Sequence, residues 1–392
     1  MSNKSFVYVG TWTVQAKRAK NADGGGIGIY SYNSETGKVD FKKVVRPDLC
    51  AGQMCVDNRR GVLYAVDEVE NSPAFGVGGG GRVVAFRIDP ETGNLTELGD
   101  ERSTLGTLPA FVALNPTGDW LVVANHGDKG AVTKTYRSED GHYHITTEYS
   151  TVTAVLYPVN CDGSIGEAVD VLTVSEDRST VPPTIASLHY CGFTHDPYRF
   201  ITTNIRQDEV ILVEIDPKNC KLHRVSSVRV GKGENPRYAV LNPERRVFYI
   251  NDEHAEKLNV IGYDDIFSLK LLQNIDIPTT SEEDLTGVKI MQSDIMMTPD
   301  KKHVYTLYRG TNTVWIFDVG DDGLLAKRAE YHIGGLGGPR GGEISPNGKF
   351  MLVADNARHL VYTLKILEDG GLEKTSEDGS LKYPGVVRFY AQ

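Results

Sequence analysis

Seven side chains fall at matching points of a recurring pattern, and together they could do chemistry. Four residues before the last apolar residue of a hydrophobic run stand His189 (counted from Phe193), Arg237 (from Leu241) and Arg340 (from Ile344). The same count gives Ser293 and Ala110 in two further runs. Just after the next apolar run come Glu68, His126, Glu253 and Arg309. Arginines recognise carboxylate or phosphate through a planar fork of donors. Histidine titrates near neutral pH and can move protons. A glutamate nearby can orient that histidine or activate water. Asn125, Asn204, Asn251 and Asn356 occupy comparable places, but asparagine is common at turns and is read here as capping backbone.

The elements that must position these residues are strands. The chain repeats one beat: an apolar run, a short polar turn, a second apolar run, a small polar cluster. It reads PAFVALNPTGDWLVVANHG at 109–127, NPRYAVLNPERRVFYINDE at 235–253 and GPRGGEISPNGKFMLVADN at 338–356. Turn anchors recur at Asp57-Asn58, Asn115-Pro116, Asp196-Pro197, Asn242-Pro243, Thr298-Pro299 and Ser345-Pro346. A third strand follows in most units, as in VILVEID and TVWIFDV, then a turn rich in Asp, Pro and Gly and a short fourth strand. Four strands at a period of roughly 45–55 residues describe a propeller blade. Six clear units and an atypical first one, starting at FVYVGTW, predict an all-β, seven-bladed β-propeller spanning 1–392 as a single domain. The tail at 383–392 is a free strand, expected to pair with the first blade and close the ring. In such a fold the entry to each first strand and the loop after each second strand share one face. His189, Arg237, Arg340, Glu68, Glu253 and Arg309 are therefore expected at one mouth of the channel.

Three segments depart from the beat. Gly76–Gly81 lacks the Lys-Ser/Thr of a phosphate loop and precedes a strand, so it reads as a plain loop. An insert at about 128–152 interrupts the third blade between two strands, as a surface excursion or a lid. Its His142 and His144 have zinc-compatible spacing but no third ligand in sight. The third segment, 277–290, is a long connection into the sixth blade.

Composition narrows the function. The 392 residues carry 42 Lys+Arg against 52 Asp+Glu, a net charge of −10, which argues against general nucleic-acid binding. No run approaches the length of a membrane span, and the start enters a strand with no apolar signal region, so a cytoplasmic location is expected. Cys50, Cys55, Cys161, Cys191 and Cys220 show no metal spacing and read as reduced structural thiols. No cofactor or metal is expected, and the sequence leaves the oligomeric state open.

On YVGTWT at 8–13, the 109–127 block and NPRYAVLNP at 235–243, essentially the whole chain resembles the seven-bladed propeller lactonases. These include propeller-type 6-phosphogluconolactonases and fungal 3-carboxy-cis,cis-muconate cyclases. The resemblance implies His189 as the active-site histidine, Pro236-Arg237 as the next blade's Pro-Arg pair, Glu253 as the glutamate after its second strand, and Arg309-Gly310 as the sixth-blade arginine. Asp252 beside Glu253 blurs that register by one. Three departures stand out. Ala186-Ser187-Leu188-His189 lacks the first histidine of a common Pro-His-Ala-His string, Asp294 replaces a common glutamate, and the 128–152 insert is unusual.

The expectation is a metal-independent lactonase acting on a sugar-acid, possibly phosphorylated, or related anionic lactone. His189, Glu253, Arg237 and Arg309 form the catalytic set; Arg237, Arg309, Arg340, Glu68 and His126 contact substrate. Two arginines beside Glu253 would weaken it as a base and favour His189, whereas the fungal cyclases suggest histidine as acid and glutamate as base. A cycloisomerase forming a lactone from an unsaturated dicarboxylate would use the same residues. A non-catalytic propeller scaffold is the rival from another class.

Overall fold

A computed structural model describes residues 5–13, 22–128, 130–180 and 183–391; Met1–Lys4, Lys129 of the insert and Gln392 of the tail lie outside them. The apolar runs form seven antiparallel sheets of four strands, one of which gains a short fifth strand, Arg102–Ser103. The inner strands touch in a closed cycle. It runs Pro384–Ala391, Ala51–Asp57, Pro109–Leu114, Leu188–Phe193, Pro236–Asn242, Met291–Met297, Pro339–Ile344 and back to the first. The fold is thus a seven-bladed propeller, as the repeat implies. The tail strand Pro384–Ala391 pairs with Ser5–Thr11 and takes the innermost place of blade one. An edge that would otherwise stand open is paired, and the two ends of the chain meet in one sheet.

Blades are tethered by a device written into the repeat. Tyr8, Tyr64, Tyr249 and Tyr305 each lie in the second strand of a blade and are fully buried. Their hydroxyls donate to the carbonyls of Gly93, Gly163, Gly323 and Gly370, at 2.8–3.0 Å. Each acceptor sits in the turn between the third and fourth strands of the next blade. Each has φ between +73° and +89°, where a side chain would strain the turn. A buried phenol needs such a partner.

A second regularity positions the site. In every blade the ladder between the two inner strands slips by one residue near its upper end. The residues passed over are Gly385, Gly52, Ala110, His189, the Arg237-Tyr238 pair, the Ser293-Asp294 pair and Arg340. A β-bulge releases its extra residue from strict alternation and re-aims the side chain. Here the re-aimed positions form a ring around the channel. Four of the seven blades supply only Gly, Ala or Ser to the leading position; His189, Arg237 and Arg340 supply the bulk and charge.

The insert is a two-stranded hairpin, Ala131–Arg137 with Tyr143–Tyr149, exposed along its first strand. His144 in it stacks on Tyr136.

Candidate active site

At the mouth defined by the bulges lies a cavity of about 750 Å3. Trp12, His126, His189, Glu253, Arg309 and Arg340 line it, with Arg206, His254 and Lys289 also in its wall. Of the seven residues singled out by sequence, five therefore face this space. Arg237 and Glu68 stand directly behind it.

Glu253 is the electrostatic centre. Its Oε1 accepts a hydrogen bond from Arg309 Nη2 at 2.9 Å and lies 3.5 Å from Arg237 Nε. His254 Nε2 lies 3.7 Å from Oε2. The backbone is pinned as well: Glu253 N donates to Asn235 O, and Gln292 N donates to Glu253 O, tying blade five to blade six. Burial alone would raise this carboxyl, but Arg237 and Arg309 outweigh it and hold it well below the ordinary 4.5. Glu253 is a carboxylate throughout the neutral range.

Arg237 is wholly buried. Its guanidinium lies 4.1 Å over the Tyr238 ring, and Nη1 donates to the carbonyl of Ser293. It acts on the cavity through Glu253 rather than by contact. Arg309 faces the cavity. Burial, then the charge of Arg237, brings its pKa down to about 10, so it stays a cation near neutral pH.

His189 is held by shape. Its ring meets His126 edge-on at 5.3 Å and Tyr238 at 5.3 Å. Its Nδ1 is buried with no hydrogen-bond partner. Burial, then Arg237 and His126, push its pKa well below the ordinary 6.5 against the opposing pull of Glu253. His189 is therefore a neutral imidazole at pH 7, coupled to Glu253 through space.

His126 compensates a departure noted in the sequence. Ser187 occupies the place where the resemblance leads one to expect a first histidine. Its hydroxyl donates to His126 O and lies 2.8 Å from His126 Nδ1. With the one O–H already committed, the serine oxygen accepts from Nδ1–H. An imidazole thus reaches the neighbourhood of His189 from blade three.

The Asp252 and Glu253 ambiguity resolves cleanly. Asp252 turns into the blade, where Asn259 Nδ2 donates both to its Oδ2 (2.9 Å) and to Glu234 Oε2 (3.1 Å). Burial, then Glu234, raise its pKa well above the ordinary 3.8. An acid whose folded pKa is raised costs stability once pH exceeds its unfolded value. Asp252→Asn removes that cost: the Tm at pH 7 is expected to equal or exceed that of the wild type, with turnover retained. A fall of several degrees would contradict this account.

Other sequence readings also find their places. Asn125, Asn204 and Asn251 bond backbone groups, as turn residues do. Asp294 accepts from the amides of Ile295 and Gly342 and ties blade six to blade seven. Cys191 is buried, its thiol pushed well up by burial and donating to Val122 O, which makes it inert. Among the described residues no group of three His, Cys, Asp or Glu stands at metal-binding spacing.

Sequence reasoning missed Trp12 and Tyr238. Trp12 follows the second strand of blade one and so matches Glu68, His126 and Glu253. The signal was present: once the tail is taken as the first strand of blade one, FVYVGTW becomes its second strand.

The family model "Lactonase, 7-bladed beta-propeller" matches residues 6–389. The chain belongs to this lactonase family. Among curated relatives, the 6-phosphogluconolactonase of Klebsiella pneumoniae (strain 342) is 24% identical over 348 residues, covering 88% of this chain and 89% of the relative. That of Erwinia tasmaniensis is 24% identical over 294 residues, 74% and 76% of the two chains. Among solved structures, the Pseudomonas aeruginosa periplasmic gluconolactonase PpgL shares the fold at TM-score 0.80 and 20% identity, covering 99% of both chains. A putative 6-phosphogluconolactonase from Bacteroides fragilis does so at TM-score 0.78 and 21% identity, covering 99% and 98%. Family membership supports lactone hydrolysis as the class of activity.

Proposed function

We propose that this lactonase-family protein hydrolyses the ring ester of a sugar-acid lactone that carries an anionic group, and that His189 and Glu253 supply the acid–base chemistry. The observation that carries the reading is the meeting of a neutral, buried histidine with an ion-paired carboxylate in the wall of a cavity that also presents Arg206, Lys289, Arg309 and Arg340 beside Glu70 and Asp128.

In this mechanism the neutral His189 imidazole takes a proton from water as the water oxygen attacks the lactone carbonyl carbon. The tetrahedral oxyanion meets Arg309, whose Nε–H is buried and otherwise unpartnered. Collapse breaks the bond between the carbonyl carbon and the ring oxygen, and the His189 imidazolium returns its proton to that oxygen. The product is the open hydroxy acid. Glu253 keeps its negative charge throughout and stabilises the imidazolium. A lactone is an activated ester, so general acid–base chemistry is sufficient.

The test is a panel of phosphorylated, carboxylated and neutral sugar lactones, with a carboxymuconate included and followed by loss of diene absorbance. Hydrolysis of an anionic lactone is the expected result; diene loss without hydrolysis would replace this reading with the cycloisomerase. The pH profile adds a signed prediction. The base is the neutral imidazole and its pKa is depressed, so the enzyme-catalysed kcat/KM stays level as pH falls through 6.5 and drops only below it. A half-maximal point at or above 6.5 would remove His189 from the base role.

A further inference from the structure

The cavity has a second charged corner, across from Glu253. Arg340 is released by the bulge of blade seven and is 5% exposed. Its Nη2 lies 3.3 Å from Oε2 of Glu68, itself buried after the second strand of blade two. Its guanidinium carbon lies 4.1 Å over the ring of Trp12, which follows the second strand of blade one. Blades seven, one and two thus converge on one guanidinium, with an ion pair on its edge and an indole on its face.

This corner is built at the expense of other options. A Cβ on Gly52 would lie 2.0 Å from Glu68 Oε2, so a side chain there would displace the glutamate that holds Arg340. Gly385 leaves the flank of the arginine stem open, with Arg340 Cδ 3.6 Å from where its Cβ would be. Both glycines occupy the bulge positions at which blades four and five carry His189 and Arg237.

Two donors remain unused. Trp12 Nε1–H and Arg340 Nε–H are both buried and have no hydrogen-bond partner. A buried donor left without an acceptor forfeits the hydration it had in the unfolded chain, so each is a standing cost that a bound acceptor would relieve. Both residues line the cavity. Neither is an acceptor, and one carries a full positive charge, so the complementary group is an anionic oxygen. Of the two arginines beside Glu253, Arg237 is behind the wall, and Arg309 has Nη2 committed to Glu253 and to Gln292 O, leaving its Nε–H for the reacting ester.

We propose that the Trp12–Arg340–Glu68 corner is the subsite that selects the substrate's anionic substituent, a terminal carboxylate or phosphate monoester. Arg340 and Trp12 take its oxygens, and Glu68 is a positioning residue that sets the angle of the arginine fork. The assignment rests on the lactonase reading for the rest of the substrate, and it divides the labour of the cationic pole. Arg309 serves the reacting ester; Arg340 serves the far end of the molecule.

The test uses the full chain and two readouts. Calorimetric titration with 6-phosphogluconate, glucarate and gluconate compares a phosphate, a carboxylate and an uncharged terminus on one carbon chain. The wild type is expected to prefer at least one charged terminus by about tenfold or more, and whichever of the two wins identifies the group. Trp12→Phe keeps an aromatic face and deletes the N–H; Arg340→Lys keeps the charge and deletes the fork. Each is expected to cut that preference about five- to tenfold, a range that corresponds to one lost hydrogen bond of ordinary net strength. In turnover, the loss falls on KM for anionic lactones and lowers the anionic-to-neutral ratio of kcat/KM. Glu68→Gln gives a smaller change of the same sign. Equal affinity for the three acids, or a preference that survives both Trp12→Phe and Arg340→Lys in folded protein, overturns the proposal. Should no lactone be hydrolysed, the titration still decides it independently.

Discussion

His189→Ala is expected to lower kcat on an anionic lactone by about a hundred- to ten-thousand-fold, the range that a positioned general base supplies. The size of the effect follows from the surroundings of the ring. Glu253 is the other proton acceptor within the catalytic set, and two arginines hold its pKa well below 4.5. It cannot replace a lost imidazole at neutral pH. The deletion should leave Tm close to that of the wild type, because His189 makes ring contacts with His126 and Tyr238 and leaves its Nδ1 unbonded. Imidazole in the buffer should restore part of the rate through the vacated space. Turnover that survives the change would move the chemistry elsewhere in the cavity.

Glu253→Ala carries the largest expected effect on stability. It removes the one carboxylate paired with both Arg237 and Arg309, and Arg237 is wholly buried. An uncompensated buried charge costs about 3–5 kcal/mol. Thermal unfolding should shift down clearly, with Glu253→Gln intermediate, because its amide oxygen still accepts from Arg309. The pH dependence has a definite sign. Glu253 has a depressed folded pKa, so its stabilisation is fully present above the ordinary 4.5 and is lost as pH falls through the folded value. The gap in stability between wild type and Glu253→Ala should therefore be widest at neutral pH and close in acid. Added formate should raise the Tm of the variant more than that of the wild type, by supplying the missing carboxylate. A gap that does not depend on pH would mean that the arginines are neutralised by something other than Glu253.

The repeat made much of this site legible. Because each blade reuses one register, counting back from Phe193, Leu241 and Ile344 placed His189, Arg237 and Arg340 at equivalent positions around the axis. The structure finds each of them at a bulge. The bulges themselves leave no mark in the sequence: one extra residue in a ladder changes neither composition nor period. Depth was equally hidden. The repeat tells where a residue stands around the ring, but whether it faces the cavity or lies behind it depends on neighbours from other blades. So Arg237 and Arg340 hold equivalent places in the repeat and differ in access: one lies behind the cavity and the other lines it. Trp12 was hidden for another reason. Its blade is assembled from both ends of the chain, and a local pattern cannot show that Ser5–Thr11 pairs with a strand nearly four hundred residues away. The insert reads from sequence as an excursion; the Asp140-Gly141 turn, flanked by Thr- and Tyr-rich runs, is the hairpin signal within it.

The seven ladder slips have a consequence for how such a protein can change. A residue passed over by the ladder contributes little to the cohesion of its blade, since its neighbours pair without it. The seven positions therefore behave as sockets on a common rim, each loaded by its own stretch of chain, and His189 and Arg340 among them face the cavity. Exchanging the occupant of one socket alters the chemistry or the room at the mouth while the blade beneath keeps its pairing. Gly52 marks the constraint: that socket is empty because the Glu68 side chain uses the space. New specificities are then reached most easily through Gly385, where an added Cβ would meet Arg340 Cδ only at 3.6 Å, an ordinary contact distance.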